Sequence, residues 1–167
     1  MSEQIFNKIN MMLTQHCARF RVINHEAAGT SQSVAALRGT HVGQGAKALV
    51  CTIKGVQKDI VKQKIHILAV LPADYRADLN ALCDELGGLK ASLSSPSEVS
   101  EFTDCVIGSV PPFSFHDELK LVCDPYLFER FEEIAFNAGL LDRSIVLNAS
   151  DYARIAKPNL IKFAIKN

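Results

Sequence analysis

Apolar positions recur at helical spacing at the start of the chain, where Ile5, Ile9, Met12 and Leu13, with His16 on the same face, predict an amphipathic helix over Ser2 to Ala18, capped by Ser2. Phe20-Arg21-Val22-Ile23 reads as a short strand ending at His25-Glu26, and Thr30-Ser31 caps a second helix, Gln32 to Leu37, stopped near Gly39. Ala46 to Ile53 is an apolar run rich in small and β-branched residues, and Ile65 to Leu71 is a second. Both read as buried strands, joined as a hairpin with a charged loop between them. Asp78 caps a helix over Leu79 to Leu86, closed by Gly87-Gly88, and Ser95-Pro96 opens another over Ser97 to Phe102. Cys105 to Val110 is β-like and breaks at Pro111-Pro112; Leu119 to Cys123 is a strand, and Asp124-Pro125 starts a short helix. Ile134-Ala135-Phe136 leads into a turn at Asn137-Ala138-Gly139, Ser144 to Leu147 is a strand, and Ser150 caps Asp151 to Ala156. The tail from Asn159 is a last strand or a frayed end. Short strands interspersed with short helices, without regular βαβ alternation, indicate an α+β fold with a mixed, mainly antiparallel sheet. No repeat or linker splits residues 1–167, so one domain is expected.

Composition narrows the function classes. The chain has 48% hydrophobic and 22% charged residues, the balance of an ordinary globular domain. Lys plus Arg and Asp plus Glu number 18 each, so the formal net charge is zero. A dedicated nucleic-acid binder usually carries a basic excess; a nucleic-acid partner here must be held by a local patch or a small pocket. The N-terminus lacks a signal-peptide core, and no window reaches the roughly 18 apolar residues of a membrane span. Five scattered cysteines form no C-x-x-C pair and read as reduced thiols of a cytoplasmic protein. Five scattered histidines and the lack of H-E-x-x-H argue against a metal site, and no cofactor is expected.

Gly43-x-Gly45-x-x-Ala48 matches the loose dinucleotide fingerprint, but a β run follows it where that motif needs a helix. The glycines make a tight turn or let a ligand approach the backbone. No Gly-Lys-Ser/Thr and no G-x-S-x-G exists, and Cys51 and Cys105 are better read as inert thiols than as nucleophiles. Lys47 sits at the start of the apolar run, where it either points outward to water or enters a cleft that wants a positive charge, since an unpartnered ammonium among apolar groups is costly. His25 lines a cleft or merely caps a strand end. Gly108-Ser109-Val110-Pro111-Pro112 has little conformational freedom, and Gly108 can present its amide unshielded, so the stretch is either a pre-organised recognition loop or a rigid surface turn.

Taken together, Lys47 on its strand, the partner strand His66 to Pro72, the run Ala77 to Gly87 and Gly108-x-x-x-Pro112 resemble, in order, the YbaK/ProX family, most closely its YeaK-like branch. These are free-standing relatives of the editing domain inserted in bacterial prolyl-tRNA synthetases. The resemblance covers about Phe20 to Ile155 and implies that family's fold, a mixed, mainly antiparallel sheet or partly closed barrel surrounded by short helices. It also implies trans-editing of mischarged tRNA by an aminoacyl-tRNA deacylase. Lys47 matches the family's essential lysine, Gly108 and Pro112 its signature loop, and His25 a histidine that follows the first strand. Ser109 stands where a second glycine is frequent, Asp104 replaces a common glycine, and Ser114 replaces another after Phe113.

The implied chemistry needs placement of an ester carbonyl, a water and stabilisation of an oxyanion. In this reading Lys47 is the catalytic anchor, the amides of Gly108 and Ser109 are the carbonyl or oxyanion donors, and His25, Ser109 and Pro112 complete the substrate site. Small clients (serine, threonine or alanine) are expected, the hydroxyl of Ser109 or Ser114 favouring a hydroxylated one. Expected partners are the aminoacyl-tRNA 3′ end, bound mainly at its acceptor terminus, and an aminoacyl-tRNA synthetase or other translation factor. An inactive tRNA-end or small-ligand binding module and a hydrolase of another small ester or amide are the alternatives.

Overall fold

The computed structural model describes residues 2–167, leaving aside the side chain of residue 2, so the cap expected of Ser2 lies outside the described residues. α1 (Ser2–Gln15) buries Ile5, Phe6, Ile9 and Leu13 on one stripe. It stops short of Ala18 because Cys17 takes a left-handed conformation, φ 54°. There follow β1 (Phe20–Asn24), α2 (Ser31–Arg38), a 3-10 turn at Val42–Gln44, β2 (Ala46–Lys58), β3 (Val61–Pro72) and β4 (Tyr75–Ala77). The second half comprises α3 (Leu79–Glu85), β5 (Lys90–Leu93), α4 (Pro96–Thr103), β6 (Leu119–Cys123), a 3-10 turn at Pro125–Phe128, β7 (Glu133–Leu140), β8 (Arg143–Asn148), α5 (Ala149–Ala156), β9 (Asn159–Leu160) and β10 (Ala164–Lys166).

The helix boundaries follow their caps. Thr30 Oγ1 accepts from Ser33 N, Asp78 from Ala81 N, and Ser95 and Glu98 form a reciprocal capping box at α4. At α5 the cap is Asn148, whose side chain accepts from Asp151 N at 3.0 Å; Ser150, expected as the cap, lies inside the helix.

Strands β5-β2-β3-β6-β9 form a mixed sheet in which β2 pairs antiparallel with β3 and β5, while β3/β6 and β6/β9 are parallel. β1-β8-β7 form a second, antiparallel sheet, and β10 pairs with β4. An isolated parallel bridge between Gly45 and Ala135 ties the start of β2 to β7. The sheets stay open and do not close into a barrel. One face of the large sheet, with Val50, Leu68 and Val70, packs on α1, β7 and β8. The other, with Cys51, Ile67, Ala69 and Leu71, packs on α3 and on Ile161 and Phe163 of the tail. The tail is therefore not frayed: the buried Asp124 carboxylate accepts from Phe163 N at 2.8 Å and Ala164 N at 2.7 Å.

Two local expectations are corrected. Cys105 to Val110 is an irregular connection, not a strand, because Asp104 closes α4 at φ 57° and Gly108 turns the chain at φ 92°. Asn137-Ala138-Gly139 is part of β7; Gly139, φ 86°, sits at a register shift between Asn137 and Leu140 that the strand absorbs as a bulge.

Candidate functional site

A cavity of about 270 Å³ opens between the start of β2, α2, β7 and the connection after α4. Its inner walls are apolar, formed by Val34, Val50, Val99, Val110 and Phe136. Lys47, Arg38, Asn137 and Gly108 bring polar groups to it. A feature of the sheet makes room for it. β5 pairs with β2 only from Cys51 to Lys54, and Ser94 N donates to the Val50 carbonyl at 2.9 Å. Between that bond and the bridge at Gly45 no strand among the described residues covers this side of β2. Alternation turns the amide and carbonyl of Ala48 the same way as the Val50 carbonyl, along the open edge.

Lys47 enters the cavity wall half-buried, its Nζ donating to the Tyr75 carbonyl at 2.8 Å. Burial lowers its pKa below the ordinary 10.5, and the Asp74 carboxylate partly restores it. Asp74 is held in turn by a two-pronged pair with Arg130, both contacts 2.8 Å, and the Arg130 guanidinium lies over Tyr126 and Tyr75. The two glycines ahead of the strand belong to this support. A Cβ on Gly45 would come 2.7 Å from Ala73 Cβ, and one on Gly43 would come 3.0 Å from both Arg130 Nη1 and Asp74 Oδ2. They admit the turn that anchors Lys47, and not a phosphate.

Opposite stands a chain of hydrogen bonds that the sequence did not disclose. Arg38 donates from Nε to Ser144 Oγ at 2.8 Å and from Nη2 to Asn137 Oδ1 at 3.0 Å. Asn137 Nδ2 donates to the Gly108 carbonyl at 2.9 Å. Among the described residues no carboxylate pairs with Arg38, and burial lowers its pKa to about 10, so it remains a cation at neutral pH. An arginine in the last turn of a short helix looks like a solvated charge; only packing against β7 and β8 buries it.

His25 reaches this chain from behind, without lining the cavity. Its Nδ1 faces the Glu26 carbonyl at 2.7 Å; a carbonyl can only accept, so Nδ1 carries the hydrogen and Nε2, 2.6 Å from Ser144 Oγ, accepts. Gly108 is exposed at the mouth, and its N–H has no partner among the described residues. Ser109 is corrected: it is fully buried, its amide and hydroxyl both donate to the Val106 carbonyl, at 3.0 and 2.8 Å, and it lies outside the cavity. Ser114 likewise spends its hydroxyl on the Leu119 carbonyl at 2.6 Å. Pro112 is also behind the wall, its carbonyl accepting from the buried Tyr152 hydroxyl at 2.7 Å.

The arrangement places two cations and a free backbone donor around an apolar hollow, which suits a small ligand carrying a carbonyl or anionic oxygen. Thiol chemistry is disfavoured: burial pushes Cys51 up to about 12 and also raises Cys105. Among the described residues no group of three or more His, Cys, Asp and Glu could hold a metal ion, and no helix is long and apolar enough to cross a membrane.

A protein-family model described as an aminoacyl-tRNA editing domain matches residues 25–155. The multifunctional Ser/Thr-tRNA deacylase ProXp-y of Escherichia coli K12 is 58% identical over 152 residues, covering 91% of this chain and 88% of that one. The prolyl-tRNA editing protein ProX of Acetoanaerobium sticklandii is 28% identical over 102 residues, 59% of this chain and 62% of that one. Among solved structures, APE2540 superposes with a TM-score of 0.80 at 19% identity, covering 95% of this chain and 99% of that chain. A proposed trans-editing enzyme for prolyl-tRNA synthetase gives 0.78 at 20% identity, covering 96% and 97%. At these identities the structural likeness is one of fold.

Proposed function

Since the chain belongs to the aminoacyl-tRNA editing domain family, we propose that it is an aminoacyl-tRNA deacylase. In this reading it removes small amino acids, serine and threonine foremost, from mischarged tRNA in trans. One observation carries the reading: Lys47 and the unpaired amide of Gly108 border the same cavity of about 270 Å³. A small aminoacyl group fits that space, and in this reading the apolar walls select against larger clients.

The ester is already activated, so no strong protein nucleophile is required. Water adds to the carbonyl carbon, negative charge builds on the carbonyl oxygen, and as that charge collapses the C–O bond to the ribose breaks, the ribose oxygen taking the proton that the water gives up. Lys47 anchors the terminal group and stabilises the developing charge. The Gly108 amide donates to the carbonyl oxygen, and a preorganised donor in a water-poor site is effective because it need not reorient. The vicinal ribose hydroxyl assists the water. Arg38 and Asn137 supply the polar wall that a client hydroxyl meets, the role expected above of Ser109 or Ser114. A synthetase or other translation factor that releases the mischarged tRNA is the companion this function calls for.

The test is a panel of tRNAs charged with serine, threonine, alanine, proline and a large residue, incubated with substoichiometric protein. Catalytic release of the small hydroxylated residues, with the large one spared, is the expected result. Binding without turnover, or hydrolysis only of unrelated esters, would overturn it.

A further inference from the structure

Beyond the body of the molecule, β2 and β3 continue as a two-stranded arm. From Lys54 to Lys64 every residue is exposed except Gly55 and Val56, which are half-buried. The arm carries Lys54, Lys58, Lys62 and Lys64 against a single carboxylate, Asp59. Lys90 of β5 stands directly opposite Lys54 across the strands. Like charges in register repel, and no described carboxylate forms a salt bridge with any of these five lysines. That includes Glu101 of α4 and Asp117 and Glu118 before β6. In a chain of zero net charge, positive charge is thus gathered on one projection.

Alternation decides where it faces. Thr52 and His66 are paired, and side chains two apart share a face, so Lys54, Lys62, Lys64 and Lys90 stand on the His66 face of the sheet. The same face carries Ala46, Ala48 and Val50 of the cavity lining, while Lys47 and Leu49, which also line it, alternate to the other face. α4 lies over it between the two, where Glu98 meets His66 at 2.8 Å. At roughly 3.3 Å per residue, Lys54 is about 13 Å along the strand from Val50 and about 23 Å from Lys47.

We propose that this face of the β2–β3 arm binds the phosphate backbone of the RNA whose 3′ end enters the cavity, an inference that rests on the function proposed above. An ammonium on a flexible stem suits a phosphate as a point charge, and such contacts position the RNA without reading its sequence. A strand leaving the cavity mouth meets the lysines after a few nucleotides. Relief of the Lys54–Lys90 repulsion then adds to the attraction. The expectation of recognition mainly at the acceptor terminus came from the net charge, which does not record this segregation.

The experiment compares wild type with the double variant Lys54→Gln/Lys64→Gln. The first readout is the affinity for uncharged tRNA as a function of salt. Each lost phosphate contact makes the log K against log salt slope shallower by about 0.7–0.9, so the pair should remove roughly 1.4–1.8. At about 0.1 M salt that corresponds to a loss of about tenfold or more in affinity. The second readout is hydrolysis: kcat/KM on intact mischarged tRNA should fall with KM rising, whereas release from aminoacyl-adenosine, too short to reach the arm, should be unchanged. An unaltered salt slope and unaltered kcat/KM on tRNA would overturn the proposal. So would lysine-dependent binding of phosphatidylserine vesicles without a change toward tRNA. If the wild type hydrolyses no aminoacyl-RNA at all, the deacylase reading fails, while the salt slope with uncharged tRNA still decides for or against the arm.

Discussion

Asn137 and Gly108 are joined directly, the side-chain Nδ2 of one donating to the carbonyl of the other at 2.9 Å. The bond links the loop after α4 to β7, and because Asn137 Oδ1 is taken by Arg38, the loop's position is set by a half-buried cation. The held carbonyl fixes the peptide plane that Gly108 shares with Ser109, whereas the Gly108 N–H belongs to the preceding plane and has no partner among the described residues.

Gly108 adopts φ 92°, a conformation that L side chains rarely take. A Cβ there would meet Leu141 Cδ2 at an ordinary 3.5 Å, so the obstacle to substitution is the backbone angle and not space in the protein. Gly108→Ala should lower kcat by about 10²–10³, the usual effect of losing one oxyanion donor. Gly108→Val should be worse, and Tm should move by only a few degrees. Ser109→Ala should leave kcat unaltered, because the Ser109 hydroxyl serves the Val106 carbonyl. Deacylation kinetics alongside thermal unfolding check all three.

Tyr152→Phe removes the 2.7 Å donor to the Pro112 carbonyl without changing shape, leaving a buried acceptor unsatisfied. The expected cost is about 1–3 kcal/mol, read as a lower midpoint in denaturant with the slope preserved.

Arg38→Met keeps much of the apolar volume and removes the donors to Ser144 and Asn137. Discrimination between hydroxylated and purely aliphatic clients should shrink by about tenfold or more, since size alone separates such residues poorly. The ratio of kcat/KM for threonyl and alanyl esters on the same tRNA measures it. An unchanged ratio would show that the polar wall does not read the client.

Lys47 is held below 10.5 chiefly by burial, with Asp74 opposing. If the ammonium is the working form, kcat/KM, corrected for spontaneous hydrolysis, stays level below the lowered pKa and falls as pH rises through it. Asp74→Asn removes the anion that favours the charged form, so this alkaline limb should move to lower pH. The linked effect on stability has the opposite sense. A lysine whose folded pKa lies below its unfolded one penalises the fold while charged, and the penalty is relieved as pH climbs through the lowered value toward 10.5. Lost activity on the alkaline side therefore does not come from unfolding driven by Lys47.

The β2–β3 hairpin, the caps of α2, α3 and α4 and the lysine at the strand's start were legible in the sequence, because period-2 and helical patterns are local and caps are residue-specific. Asn137-Ala138-Gly139 misled because glycine at positive φ serves a bulge within a strand as well as a turn between strands. Arg38, Asn137 and Ser144 come together over sequence separations of about a hundred residues for the arginine's contacts, which no local pattern records. The local sequence around Ser109 does not say which way its hydroxyl turns; the curl of the chain back to Val106 decides it.

The most direct measurement of the central claim is multiple-turnover release of serine and threonine from mischarged tRNA by wild type and by Lys47→Ala, each in catalytic amount. The account predicts turnover by wild type and loss of nearly all of it in Lys47→Ala, with circular dichroism and Tm little changed. Lys47→Arg should fail as well, because a planar guanidinium does not fit the place of a compact ammonium donating to the Tyr75 carbonyl. Activity of Lys47→Ala within a few-fold of wild type would contradict the account.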